Sequence, residues 1–281
     1  MLLPALTSLL SFGFALVLVA RFLGRHQPYY LVWTLGLLWY ALAAGSETLG
    51  GLAGWTPALY KLWYTTGAIG VAAYLGAGTI YLHKDQPFGS LTVVCFLIGS
   101  IPALAGRHVT IGLLALASAT ALTIVLSLKP AWFAHAVFTL LLLMSLLAAI
   151  SVVNAKIDPG LLPTPDQVVT GQAFDPETRA LTPPFNITDA CILILGALIS
   201  AQTFWRTRAL PNRVASNVLI AVGAFVPSLT SGLTRFGITS VFFLGELLGL
   251  LFILAGFLLS GSTFFRRRKY GSGEACRAPE K

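Results

Sequence analysis

Charge is what this chain has least of. Only 10% of its 281 residues are Asp, Glu, Lys or Arg, while 56% are hydrophobic and the mean hydropathy is +0.82. Soluble domains carry about a quarter charged residues, so too little polar surface exists here to face water, and a soluble globular fold is excluded. Acid is the scarcer sign, with 10 Asp and Glu against 18 Lys and Arg. The bases fall singly or in short clusters between apolar runs and describe no continuous face for nucleic acid. The lipid bilayer, with its anionic cytoplasmic surface, is the partner they fit. Cysteine is nearly missing: Cys95 and Cys191 lie in apolar runs and Cys276 in a polar tail, a spacing that supports neither a disulfide framework nor a zinc site.

Chemistry-bearing patterns are missing as well. His26, His83, His108 and His135 have no H-x-x-x-H partner and no adjacent carboxylate. There is no G-x-S-x-G, Gly-rich phosphate loop or Ser/His/Asp arrangement. The expectation is a protein that is not an enzyme and carries neither cofactor nor metal.

What the chain does have is apolar length. A bilayer core of about 30 Å takes about 20 apolar residues per helix. Runs of that kind fall near 2–23, 29–49, 59–82, 89–106, 109–128, 131–153, 187–205, 214–234 and 238–263. The expected fold is all-α, a polytopic transmembrane helix bundle of about nine spans. Only a residue or two separates the neighbours at Gly106-Arg107-His108 and at Lys129-Pro130, so a broken or re-entrant helix at either point leaves seven or eight crossings as alternatives. The first run has no basic residue before it and ends in Val19-Ala-Arg-Phe-Leu-Gly-Arg25, which argues for a retained helix rather than a cleaved signal.

With the N-terminus outside, Lys61, Arg107, Lys156, Arg179 and Arg235 fall outside and the other 13 bases fall in the cytoplasm. That bias places the protein in the cell membrane with a cytoplasmic C-terminus. Residues 1–265 then form the bundle, and 266–281 form a basic tail expected to be disordered and to anchor the last helix at anionic lipid.

One polar stretch interrupts the apolar pattern, from Asn154 to Asp189, and it holds five of the 10 acids. Its prolines at 159, 163, 165, 176, 183 and 184 forbid a continuous helix. Leu161, Leu162, Val168, Val169, Phe174, Leu181 and Phe185 give it enough apolar surface to pack as an extracytoplasmic cap. Val168-Val-Thr170 and Arg179-Ala-Leu-Thr182 predict a short hairpin around Gly171 to Glu177. Asn186-Ile-Thr188 matches a glycosylation sequon but abuts the next span, so Thr188 or Asp189 is expected near a helix N-cap.

Spans four and eight share a pattern, Gly99 to Arg107 with Pro102 and Gly223 to Arg235 with Pro227, which would suit a three-helix parallel repeat. Gly, Ala and Pro are common enough in membrane helices for coincidence to compete with it.

Glu246 is the acid set most clearly inside a long apolar run. A carboxylate there costs roughly 2.5 to 3.5 kcal/mol on insertion scales, so it needs a partner, a proton or water. It lies about eight residues into the ninth run, roughly 12 Å below the outer boundary at 1.5 Å per residue. Glu47, Lys61, Arg107 and Arg235 fall in the same outer half, with Tyr40, Trp63 and Tyr64 at similar depth, although aromatics near span ends also suit interfacial belts. The reading is a multi-pass protein that binds or transports a small solute or ion through an outward-facing polar pocket built from Glu246, Arg235, Arg107, Glu47 and Lys61. The alternative is a non-transporting accessory, scaffold or sensory subunit acting through a protein partner, which predicts a dry bundle.

Overall fold

The computed structural model describes the backbone of residues 1–271 apart from Lys84, Asp85, Arg107, Asp166, Ala209, Leu210 and Arg235, and side chains as far as Ser260 apart from those of Gln86 and Pro211. Two of the expected site residues, Arg107 and Arg235, lie outside the described residues.

The chain begins with α1 (Leu2–Arg25) and α2 (Pro28–Ala53). Next, α3 (Pro57–Trp63) continues through a π-helical stretch (Tyr64–Gly70) into α4 (Val71–Leu82). Then come α5 (Gln86–Ala105), α6 (Val109–Leu128) and, after a 3-10 turn at Pro130–Trp132, α7 (Phe133–Asn154). The irregular segment holds one helical turn, α8 (Pro176–Arg179), before α9 (Thr182–Arg206), α10 (Pro211–Thr234) and α11 (Phe242–Gly271). The last helix runs into the stretch expected to be a disordered tail, of which 272–281 lie outside the described residues. Prolines open α2, α3, α8 and α9, where their fixed φ suits the first turn and their missing N–H is no loss.

Among the described residues, eight helical segments are long and apolar enough to cross a membrane, which makes this a multi-pass membrane protein. The expected span that is not among them is α2. It has the length, 26 residues, but aromatic, hydroxyl and carboxyl groups lower its hydropathy. Several of those groups face the protein: Tyr30, Tyr40, Ser46 and Glu47 are all buried.

The helices pack as two rings sharing a wall. In the first, α1, α2, α4, α9, α10 and α11 close on one another in that order. All six contribute to its centre, through Phe14, Leu18, Tyr30, Leu37, Tyr40, Leu75, Leu193, Ala224 and Leu250 among others. The second ring runs α4, α9, α5, α6, α7, and here α7 packs only sparsely on α6 and α4. Interhelical contacts are fixed by hydroxyl and indole donors: Ser8 Oγ to Ala41 O at 2.8 Å, Trp33 Nε1 to Leu75 O at 3.0 Å and Ser216 Oγ to Gly256 O at 2.6 Å. Hydrocarbon offers no substitute for these acceptors.

The repeat suggested by Pro102 and Pro227 is not carried into packing. In the second triplet α9 and α10 pack extensively, whereas α4 scarcely touches α5 because α9 lies between them.

The closest helix pair is α10 and α11. A Cβ on Gly249 would fall 2.2 Å from Cγ of Pro227, which lies inside α10, so only glycine permits this approach. In lipid, van der Waals contact between small residues replaces the hydrophobic drive. Gly249→Ala is expected to lower the melting temperature of the detergent-purified protein, at about 1–3 kcal/mol for overpacking. Gly232→Ala, whose added Cβ meets nothing within 4 Å, is expected to leave it unchanged.

Candidate functional site

Glu246 meets an acid. Because α11 starts at Phe242 rather than near 238, Glu246 sits in its second turn, roughly 6 Å from the helix start at 1.5 Å per residue. The Tyr40 hydroxyl on α2 donates to the Glu246 carbonyl at 2.9 Å. The Glu246 carboxyl lies within hydrogen-bonding reach of that of Glu47, whose Oε1 accepts from Trp63 Nε1 at 2.9 Å. Glu47 is 2% exposed, and Oε2 of each acid is buried with no hydrogen-bond partner. Two carboxylates offer only acceptors to each other, so a hydrogen bond between them forms only when one carries a proton. The helices α2 and α11 otherwise barely touch.

Of the five residues expected to form one pocket, the structure therefore brings Glu47 and Glu246 together. Lys61 lies elsewhere, its ammonium donating to the Val153 carbonyl at the end of α7 at 2.6 Å. Tyr40, Trp63 and Tyr64 are buried rather than placed as a lipid-facing belt, whereas Trp132 and Trp205 are exposed at 65% and 74% as belt residues would be. Glu246→Gln keeps a donor toward Glu47 and is expected to be tolerated. Glu246→Ala orphans a buried oxygen and should cost about 1–3 kcal/mol, read as a lower melting temperature.

The segment from Ala155 to Leu181 packs over one end of the bundle. Val169, Ala173 and Phe174 are buried against Tyr60, Trp63, Tyr64, Ala148 and Val152. Tyr60 donates to the Thr170 carbonyl and accepts from the Ala173 amide at 3.2 Å, and the Tyr64 hydroxyl lies 2.6 Å from Thr182 Oγ1. The expected hairpin does not form. Gly171–Ala173 is a 3-10 turn and Pro176–Arg179 a helical one, because Pro176 presets the turn and Asp175 caps it.

Burial alone would push the Asp175 carboxyl up, but hydrogen bonds from the Thr178 amide at 2.9 Å and hydroxyl at 2.8 Å hold it below its usual 3.8. The ionised cap thus stabilises this turn fully above the usual carboxylate range, and the contribution is lost as pH falls through the lower folded value. Amide exchange across 168–181, corrected for its intrinsic pH dependence, is expected to gain amplitude on acidification into that range. In Asp175→Asn, whose amide oxygen still accepts from the Thr178 amide but does not titrate, the corrected exchange should not change with pH over that range.

A partly open cavity of about 520 Å³ lies in the second ring beneath this cap. Its walls are Phe96 of α5, Thr110 to Ser118 of α6, Val137 to Ser151 of α7 and Phe185 of α9, with Asp175, Glu177 and Thr178 at the cap. From Val137 to Ser151 it extends about 20 Å along α7. Ile80, Phe88, Cys95, Leu122, Phe133 and Ile192 pack closed at the opposite end. No family model, curated protein or solved structure matches the chain. The site is read from its own geometry.

The residue that geometry picks out is Asp189. Sequence reasoning placed it in the loop or near an N-cap, but α9 starts at Thr182, so Asp189 and Thr188 lie inside the helix, Asp189 roughly 10 Å from its start. Thr182-Pro-Pro was the available signal, since proline in a first turn marks a start rather than a barrier. Asp189 is 5% exposed and packs on Gly76 of α4, where a Cβ would come within 2.7 Å of its Cβ and Oδ1. Among the described residues its carboxyl makes no hydrogen bond, and it lines the cavity wall. Neither Glu47 nor Glu246 lines this cavity.

Proposed function

We propose that the protein binds a small solute in the capped cavity of the second ring, as a nine-span protein of the cell membrane with its N-terminus and cap outside and its C-terminus in the cytoplasm. The observation that carries the reading is Asp189: a buried carboxyl without a hydrogen-bond partner, facing about 520 Å³ of otherwise mostly apolar space. Pockets of roughly 300–1,000 Å³ with a few placed polar groups are the usual form of a small-molecule site. An intramembrane ionisable residue facing a cavity is a functional group by default.

The orientation is supported by the distribution of Lys and Arg, 13 of 18 falling inside once α2 is counted as a crossing. The alternative of an accessory or scaffold subunit calls for a dry bundle, and the cavity weighs against it. The cavity closes at the end away from the cap, so the geometry suits an outward-open state, from which transport would require α6 and α7 to move. Their sparse mutual contact favours them as the moving pair.

Ala115 lies on the cavity wall, partly exposed. Native mass spectrometry of protein released from nanodiscs is expected to find a small molecule on the wild-type chain and none on Ala115→Trp, which fills the space. Bare wild-type protein, or equal occupancy in the variant, would contradict the reading.

A further inference from the structure

The cavity's charged groups have one sign. Asp189 lies deep on α9, Asp175 and Glu177 lie at the cap, and among the described residues that line the cavity none is Lys, Arg or His. The nearby base, Arg179, lines a separate groove with Pro102, His108 and Pro183. The remaining wall is built of Phe96, Ile111, Leu114, Leu140, Met144 and similar side chains, with Phe185 beside the acid end.

We propose that the occupant is a cationic amphiphile, an ammonium group on an apolar body, with the ammonium at Asp189 and the body along α6 and α7. This rests on the solute-binding reading above and adds the chemical class. A carboxyl group buried without a partner in low dielectric is satisfied by an N–H donor, and most strongly by a charged one. An ammonium brings both donors and the opposite charge, and the aromatic faces of Phe96 and Phe185 favour a cation further. The two cap acids raise the local concentration of cations at the mouth. Among the described lining residues an anion would meet three acids and no base, and a purely apolar ligand would leave Asp189 unpaired. An ammonium of this kind belongs equally to a free amine and to the headgroup of an amine-bearing lipid.

The test compares three probes that share one chain and differ only in the head: octylammonium, 1-octanol and octanoate. Each is titrated calorimetrically into full-length protein in phosphatidylglycerol nanodiscs, with heats from empty discs subtracted. Octylammonium is expected to bind at least about tenfold more tightly than octanol, the worth of a charge-assisted hydrogen bond, and octanoate not to bind. Asp189→Asn should remove that preference while leaving octanol unchanged, and Ala115→Trp should abolish binding of both. Equal affinity for octanol and octylammonium, or a preference for octanoate, overturns the cationic class but leaves the solute-binding reading standing. No probe binding in a way that Ala115→Trp affects overturns both. Because the probe series is read on the wild-type chain, the result stands even if Asp189→Asn fails to fold. Discs containing phosphatidylethanolamine separate the sources: competition with octylammonium assigns a lipid headgroup, and its absence assigns a free amine.

Discussion

The contact between α4 and α9 is the one on which the rest of the structure depends. It is made at glycines: Gly76 admits the Asp189 side chain, and a Cβ on Gly196 would fall 2.5 Å from Cγ2 of Thr79. On its other face α9 is held to α5, where Thr188 Oγ1 donates to the Cys95 carbonyl at 3.3 Å and Gly99 leaves room for that hydroxyl. Fixed on both sides, α9 is a wall of both rings. Asp189 belongs to that wall and is among the residues that line the cavity.

The two rings divide the work of a membrane protein differently. The first is filled at its centre by large apolar and aromatic side chains, with some polar groups engaged locally, as with Trp33 on Leu75 and Glu47 on Trp63. In the second, α7 is loosely held and the space beneath the cap is left open. The carboxyl groups follow this division. Glu47 accepts from Trp63 and lies beside Glu246 in a packed region, whereas the Asp189 carboxyl makes no hydrogen bond among the described residues. The proposed ligand site follows from this difference: the acid with no hydrogen bond is the one on the cavity wall.

Much of the fold was legible in sequence because it follows from apolar length, and the helices begin and end within a few residues of the expected runs. The exceptions have physical causes. Apolar length understates α2, whose polar and aromatic groups are turned inward. The hairpin expected at 168–182 lost to the local chemistry of Asp175, Pro176 and Thr178, a stronger signal than alternation over so few residues. Glu47 and Glu246 were each visible as acids in the outer half, but their meeting depends on how α1 joins α2 to α11 in the first ring, across about 200 residues of chain. Asp189 was hidden by a misread helix start: the double proline at 183 and 184 was taken to end structure when it begins it. Its burial follows from Gly76, more than 100 residues earlier, and no local pattern carries that.

The central claim is that a water-accessible cavity opens under the cap on the outer side and ends at the packed floor. Single cysteines at Ser151, Ala115 and Leu122, introduced with Cys95, Cys191 and Cys276 replaced, can be exposed on intact cells to an impermeant quaternary-ammonium thiol reagent. The account predicts modification at Ser151 and Ala115 from outside and protection at Leu122, which packs in the floor. Protection of Ala115 from outside, or its modification only from the cytoplasmic face of inverted vesicles, would contradict it.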